Sequence, residues 1–142
     1  MKKFKFRLEK VLHNRELVKD EKRRELLKRN QALQEAVNRL AELEKLALSN
    51  ELEQQKVLSI GQVLLHGLFS ERIKEEIINQ RQVIETCKEE VAKAMSEYIE
   101  ASKEAKSLET LRERKLQEYT EYIRKEDEKF LDELAVQRGG PR

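Results

Sequence analysis

The residues able to do chemistry are few and scattered. There are two histidines, His13 and His66, far apart in the sequence, and one cysteine, Cys87. No His, Cys, Asp or Glu group has the spacing of a metal-ligand set, and no glycine-rich loop is present to cradle a phosphate. Adjacent carboxylates such as Glu75 and Glu76 read as solvated charge rather than an acid/base pair held at different pKa values. A Ser, His and Asp set would need a cleft to converge in, and paired helices enclose none. No catalytic residue, metal, cofactor or small-molecule substrate is therefore expected. The chain is expected to be no enzyme and to work by contact.

The elements that would position contacting residues are long helices. The first proline is Pro141. Residues recur at alternating steps of three and four through Ile73, Ile77, Gln80, Ile84, Cys87, Val91, Ala94, Tyr98, Ala101, Ala105 and Leu108, nearly all of them apolar. That narrow seam predicts a coiled coil rather than a globular core. Helix one is expected over about 7–55. It carries an early stripe of Phe4, Leu8, Val11 and Val18, then a stripe of Leu26, Leu33, Val37, Leu40 and Ala47, displaced by one position. Such drift fits 3.6 residues per turn set against a 3.5-residue repeat. Helix two is expected over about 70–136, with Ser70 as its N-cap and Glu71, Glu75 and Glu76 complementing the dipole. At 1.5 Å per residue the helices span roughly 70 and roughly 100 Å, so the second overhangs the first. The tail 137–142 contains Gly139, Gly140 and Pro141 and is expected to be disordered. The fold class is all-α: a long two-helix antiparallel coiled coil, an α-helical hairpin forming one domain over 1–142.

Between the helices, 56–69 is an apolar bend. Gly61 and Gly67 lower its helix propensity, and no charge occurs from Val57 to Ser70. Its Leu and Ile residues have two readings: they close the end of the hairpin core, or they form an exposed patch for a partner.

Charged residues make up 41% of the chain and aromatics 5%, a balance that alone suggests disorder. The sustained heptads point to paired helices instead, because a narrow seam needs few apolar residues per turn. The charge is uneven. Residues 1–30 hold twelve Lys or Arg against five Asp or Glu, whereas 31–102 hold eight against thirteen. Either this is ordinary solvated helix surface, or a basic end is steered towards an acidic partner. Lone Cys87, in a seam position, fits a reducing compartment. No apolar run follows the basic start, so secretion is not expected. No stretch approaches the ~20 apolar residues of a membrane span, so any membrane association would be peripheral. The run Lys22-Arg23-Arg24 could touch phosphates. Glu21 and Glu25 flank it, however, and the bend rules out a simple parallel basic zipper, so protein partners are expected and nucleic acid is not.

Two segments go beyond periodicity. The start, Phe4-Lys5-Phe6-Arg7-Leu8-Glu9-Lys10-Val11-Leu12, resembles the opening of the flagellar export protein FliJ family. The end resembles the same family: Leu108 to Lys115, then Glu118-Tyr119, then Lys125 to Lys129, then Leu131-Asp132-Glu133-Leu134-Ala135-Val136-Gln137-Arg138. The resemblance implies a soluble, monomeric component of the flagellar type III protein export apparatus, similar to the γ stalk of rotary ATPases. Its terminal ends would insert into the hexameric export ATPase and promote assembly and activity. Its bend side would contact the cytoplasmic domain of the membrane export gate protein FlhA, and late-substrate chaperones are further implied partners. The resemblance implies a cytoplasmic location, peripheral to the cell membrane at the flagellar base. Carried onto this sequence, the ATPase contact comprises Phe4, Phe6, Leu8, Arg112, Arg114, Lys115, Tyr119 and Lys125. The gate contact comprises Phe69, Ile73, Ile77 and Gln80. A structural coiled-coil scaffold unconnected with export is the alternative.

Overall fold

A computed structural model describes residues 3–56 and 58–139 and contains two helices, α1 (Glu9–Gln54) and α2 (Ile60–Gly139). They pack against each other as an antiparallel two-helix coiled coil. Their contacts group into two compact units. Unit 1 combines 1–20 with 100–142, and unit 2 spans Glu21–Ile99.

In unit 2 the α2 seam is the expected one: Ile73, Ile84 and Ala94 are buried, with Ile77, Gln80, Cys87, Val91 and Tyr98 half-buried between them. Its partner on α1 differs from expectation. Val37 is exposed and Ala36 is buried. The seam runs without a phase shift through Lys22, Leu26, Arg29, Leu33, Ala36, Leu40, Leu43, Ala47 and Asn50, each buried or half-buried. Lys22 and Arg29 obscure this periodicity because they are charged. Their stems cover the seam while their heads reach solvent, where Lys22 Nζ meets Glu97 at 3.2 Å and Arg29 Nη1 meets Glu90 at 3.1 Å. Both pairs are well exposed, so they set register more than stability, each giving about 0–1 kcal/mol. Leu43, 2% exposed, contributes more, about 1.5–3 kcal/mol by leaving water.

The bend departs most from the sequence reading. α2 begins at Ile60 rather than near 70, and Ser70 lies inside it. The N-cap is Ser59. Its Oγ accepts from the Gln62 backbone N at 3.2 Å, while Gln62 Oε1 accepts from the Ser59 backbone N at 3.0 Å. This reciprocal capping box satisfies two otherwise orphaned donors. Two further bonds dock the new first turns on α1. Asn50, 5% exposed, donates from Nδ2 to the His66 carbonyl at 3.3 Å, and its Oδ1 lies 2.8 Å from His66 Nδ1. Together these features outweigh the roughly 1 kcal/mol that each glycine costs a helix.

In unit 1, Leu12 is the buried residue of early α1 and Val11 is exposed, again one position from expectation. Ala101 and Ala105 of α2 are 6% and 0% exposed. Their small side chains let the helices approach closely. Helix α2 continues through residues 137–139, part of the expected disordered tail; residues 140–142 lie outside the described residues.

Candidate interaction surfaces

Phe4 is not the first member of a helical stripe. Residues 3–6 are non-helical and a turn follows at 7–8. Burial alternates strictly: Lys3, Lys5 and Arg7 are exposed, and Phe4, Phe6 and Leu8 are half-buried. The basic/apolar alternation thus separates charge from contact along this segment. Helix α1 starts when the Leu12 backbone N bonds the Leu8 carbonyl at 2.8 Å, with Glu9 in its first turn favouring the positive helix end.

The apolar side of this segment lies on α2. The Phe4 ring is 5.6 Å from that of Tyr119, tilted by 46°, and Arg112 Cζ stands 5.7 Å from the Phe4 centroid. Arg112 Nε also donates to Glu9 Oε2 at 2.8 Å. One guanidinium thus ties the segment and the first turn of α1 to α2. The resulting groove is lined by Phe4, Phe6, Leu8, Leu111 and Tyr119, with Lys3, Lys5, Arg7 and Lys115 around them. Five of the eight residues expected at the ATPase contact therefore converge: Phe4, Phe6, Leu8, Lys115 and Tyr119. Arg112 holds the groove together from beside it. Arg114 and Lys125 are exposed on α2 and do not line it. Lys3, Lys5, Arg7 and Leu111 belong to the groove although the sequence reading did not single them out. The two-residue alternation was the signal for the first three.

Beyond Tyr119, α2 exposes Tyr122, Phe130, Leu131 and Val136. Hydrogen bonding to Glu121, with the charges of Glu121 and Glu128, raises the Arg124 pKa above its ordinary value.

In unit 2 the four expected gate residues separate. Ile73 is 3% exposed and belongs to the helix seam, so it offers little surface. Gln80 donates its Nε2 to the Ala36 carbonyl at 2.9 Å and is half-buried. Ile77 is half-buried, and Phe69 is exposed. Ile73 and Ile77 lie along a groove with Ala47, Ser70 and Ile78, whereas Phe69 lines another with Leu46, Ser49, Glu53, Gln62 and Leu65. Ile60, Val63, Leu64, Leu65 and Leu68 are all exposed. Among the described residues the bend is thus an apolar surface, in keeping with the second of its two readings, and Leu46 of α1 and Leu65 are neighbours of Phe69 in its groove.

Among the described residues no group of His, Cys, Asp and Glu could hold a metal ion, and no helix is long and apolar enough to cross a membrane. The arrangement defines a class: a paired-helix protein, an antiparallel two-helix coiled coil. The family model described as "Flagellar FliJ protein" matches residues 4–140, and the chain belongs to that family. It is therefore a flagellar export-related protein, in a family whose members are non-catalytic export components. No curated protein and no solved structure matches the chain significantly.

Proposed function

We propose that unit 1 is the end that inserts into the hexameric flagellar export ATPase, promoting ring assembly and ATP turnover in the manner of a γ stalk. The observation that carries this reading is the docking of the segment before α1 on the side of α2. The segment Lys3–Leu8 packs on α2 at Arg112 and Tyr119, and α2 then runs on to Gly139 with Tyr122, Phe130 and Leu131 exposed. Apolar side chains left uncovered along a charged helix are available to another surface. A pore of protein supplies one, and a groove rimmed by lysine and arginine suits it.

Unit 2 links the ATPase to the cytoplasmic domain of the export gate protein FlhA, with Phe69, Leu46 and Leu65 as the accessible contact. Ile73 and Gln80 act there only by holding the helix pair. Late-substrate chaperones are further partners. The inserting form is a monomer, located in the cytoplasm and peripheral to the cell membrane at the flagellar base. It binds no nucleic acid, cofactor or small-molecule substrate.

The two contacts separate by mutation. Reversing Arg114 and Lys125 to Glu weakens ATPase binding and leaves helicity intact, since both side chains are exposed. Arg112 is spared because it also holds Phe4 and Glu9. Phe69→Ala weakens gate binding alone. Unchanged ATPase binding after the double reversal, at physiological salt, would remove Arg114 and Lys125 from the contact.

A further inference from the structure

We propose that the unit 1 groove is a docking site for an acidic peptide segment bearing a large apolar side chain. The proposal rests on unit 1 being the end that meets the ATPase, and it gives that contact its chemistry. The receiving segment presents carboxylates around a Leu or Phe anchor.

Three observations carry it. The floor is apolar, made by Phe4, Phe6, Leu111 and Tyr119, in an open cavity of about 960 Å³, room for an anchor side chain and its neighbours. The rim is cationic, and no carboxylate lines the groove. Lys115 is paired with Glu118 at 3.4 Å, but among the described residues no carboxylate lies within ion-pair distance of Lys3, Lys5 or Arg7. Finally, the non-helical segment Lys3–Leu8 sorts the two chemistries by alternation, with Lys3, Lys5 and Arg7 exposed, Phe4, Phe6 and Leu8 half-buried, and the Phe4 ring against Tyr119 of α2. An incoming strand of carboxylates and apolar groups is the complement of this pattern in charge and in alternation.

The test uses the full chain and a short fluorescein-labelled peptide of alternating Glu and Leu, read by fluorescence anisotropy. Saturable binding is expected, weakening about tenfold between about 50 and about 300 mM salt. A matching peptide of Lys and Leu should not bind. Lys3→Glu, Lys5→Glu and Arg7→Glu together should lower affinity at least about tenfold, with helicity unchanged because these residues lie outside both helices. Lys3→Arg with Lys5→Arg should retain binding.

Equal binding of the Lys peptide, or indifference to the triple reversal, would overturn the proposal. So would tighter binding of a single-stranded oligonucleotide that displaces the acidic peptide. Concentration-dependent dimers dissolved by the peptide would also overturn it, placing the Glu126–Glu133 segment of a second copy in the groove instead. ATPase stimulation is measured separately. Stimulation without peptide binding refutes the groove and leaves the stalk; peptide binding without stimulation refutes the stalk and leaves the groove.

Discussion

The ring of Phe4 lies 5.6 Å from that of Tyr119, joining residues that stand near opposite ends of the sequence. Such an aromatic pair contributes about 0.5–1.5 kcal/mol beyond its buried area, and Arg112 adds a cation–π contact. Phe4→Ala removes both. The expected result is release of residues 3–8 from α2, seen as a tryptic cleavage rate at Lys5 and Arg7 raised about tenfold. Far-UV circular dichroism should barely change, because the segment is not helical.

Asn50 and His66 form the polar contact that docks the first turns of α2. Asn50→Ala leaves the His66 carbonyl and ring nitrogen without their partner, at an expected cost of about 1–2 kcal/mol. A double-mutant cycle with His66→Ala should return a coupling of about 0.5–1 kcal/mol, read from denaturant midpoints. Additive effects would mean the contact does not form in solution.

Gly67 sits inside α2, and a Cβ there would meet nothing within 4 Å. Gly67→Ala should therefore stabilise the chain by about 0.5–1 kcal/mol through helix propensity alone, measured as a raised denaturation midpoint.

Ala105 is fully buried, and the opposite logic applies. Ala105→Leu should overpack the helix contact and destabilise by about 1–3 kcal/mol. Replacing exposed Ala135 with Leu should change stability by less than about 0.5 kcal/mol.

The coiled coil was legible because α2 keeps small or apolar residues at every seam position from Ile73 to Leu108 except Gln80. The α1 seam was harder to read, since Lys22 and Arg29 occupy seam positions with their stems and Val37 offers a false apolar mark beside Ala36. The early start of α2 was hidden by Gly61 and Gly67, which argue locally against a helix. The Ser59 and Gln62 box and the long-range Asn50–His66 contact outweigh them, and only the first of these is a sequence signal. At the candidate site, Phe4, Phe6, Leu8 and Tyr119 could be named from the resemblance, and alternation could have added Lys3, Lys5 and Arg7. Leu46 beside Phe69 depends on the helix register around the bend, which no local pattern reveals.

The most direct measurement mixes the purified chain with the flagellar export ATPase of its own organism and follows hexamer formation together with ATP turnover. Both should rise with added chain, the chain alone should hydrolyse no ATP, and Arg114→Glu with Lys125→Glu should blunt the rise. An ATPase whose assembly and turnover ignore the chain, under conditions where the chain is helical, would contradict the stalk reading and leave a paired-helix scaffold in its place.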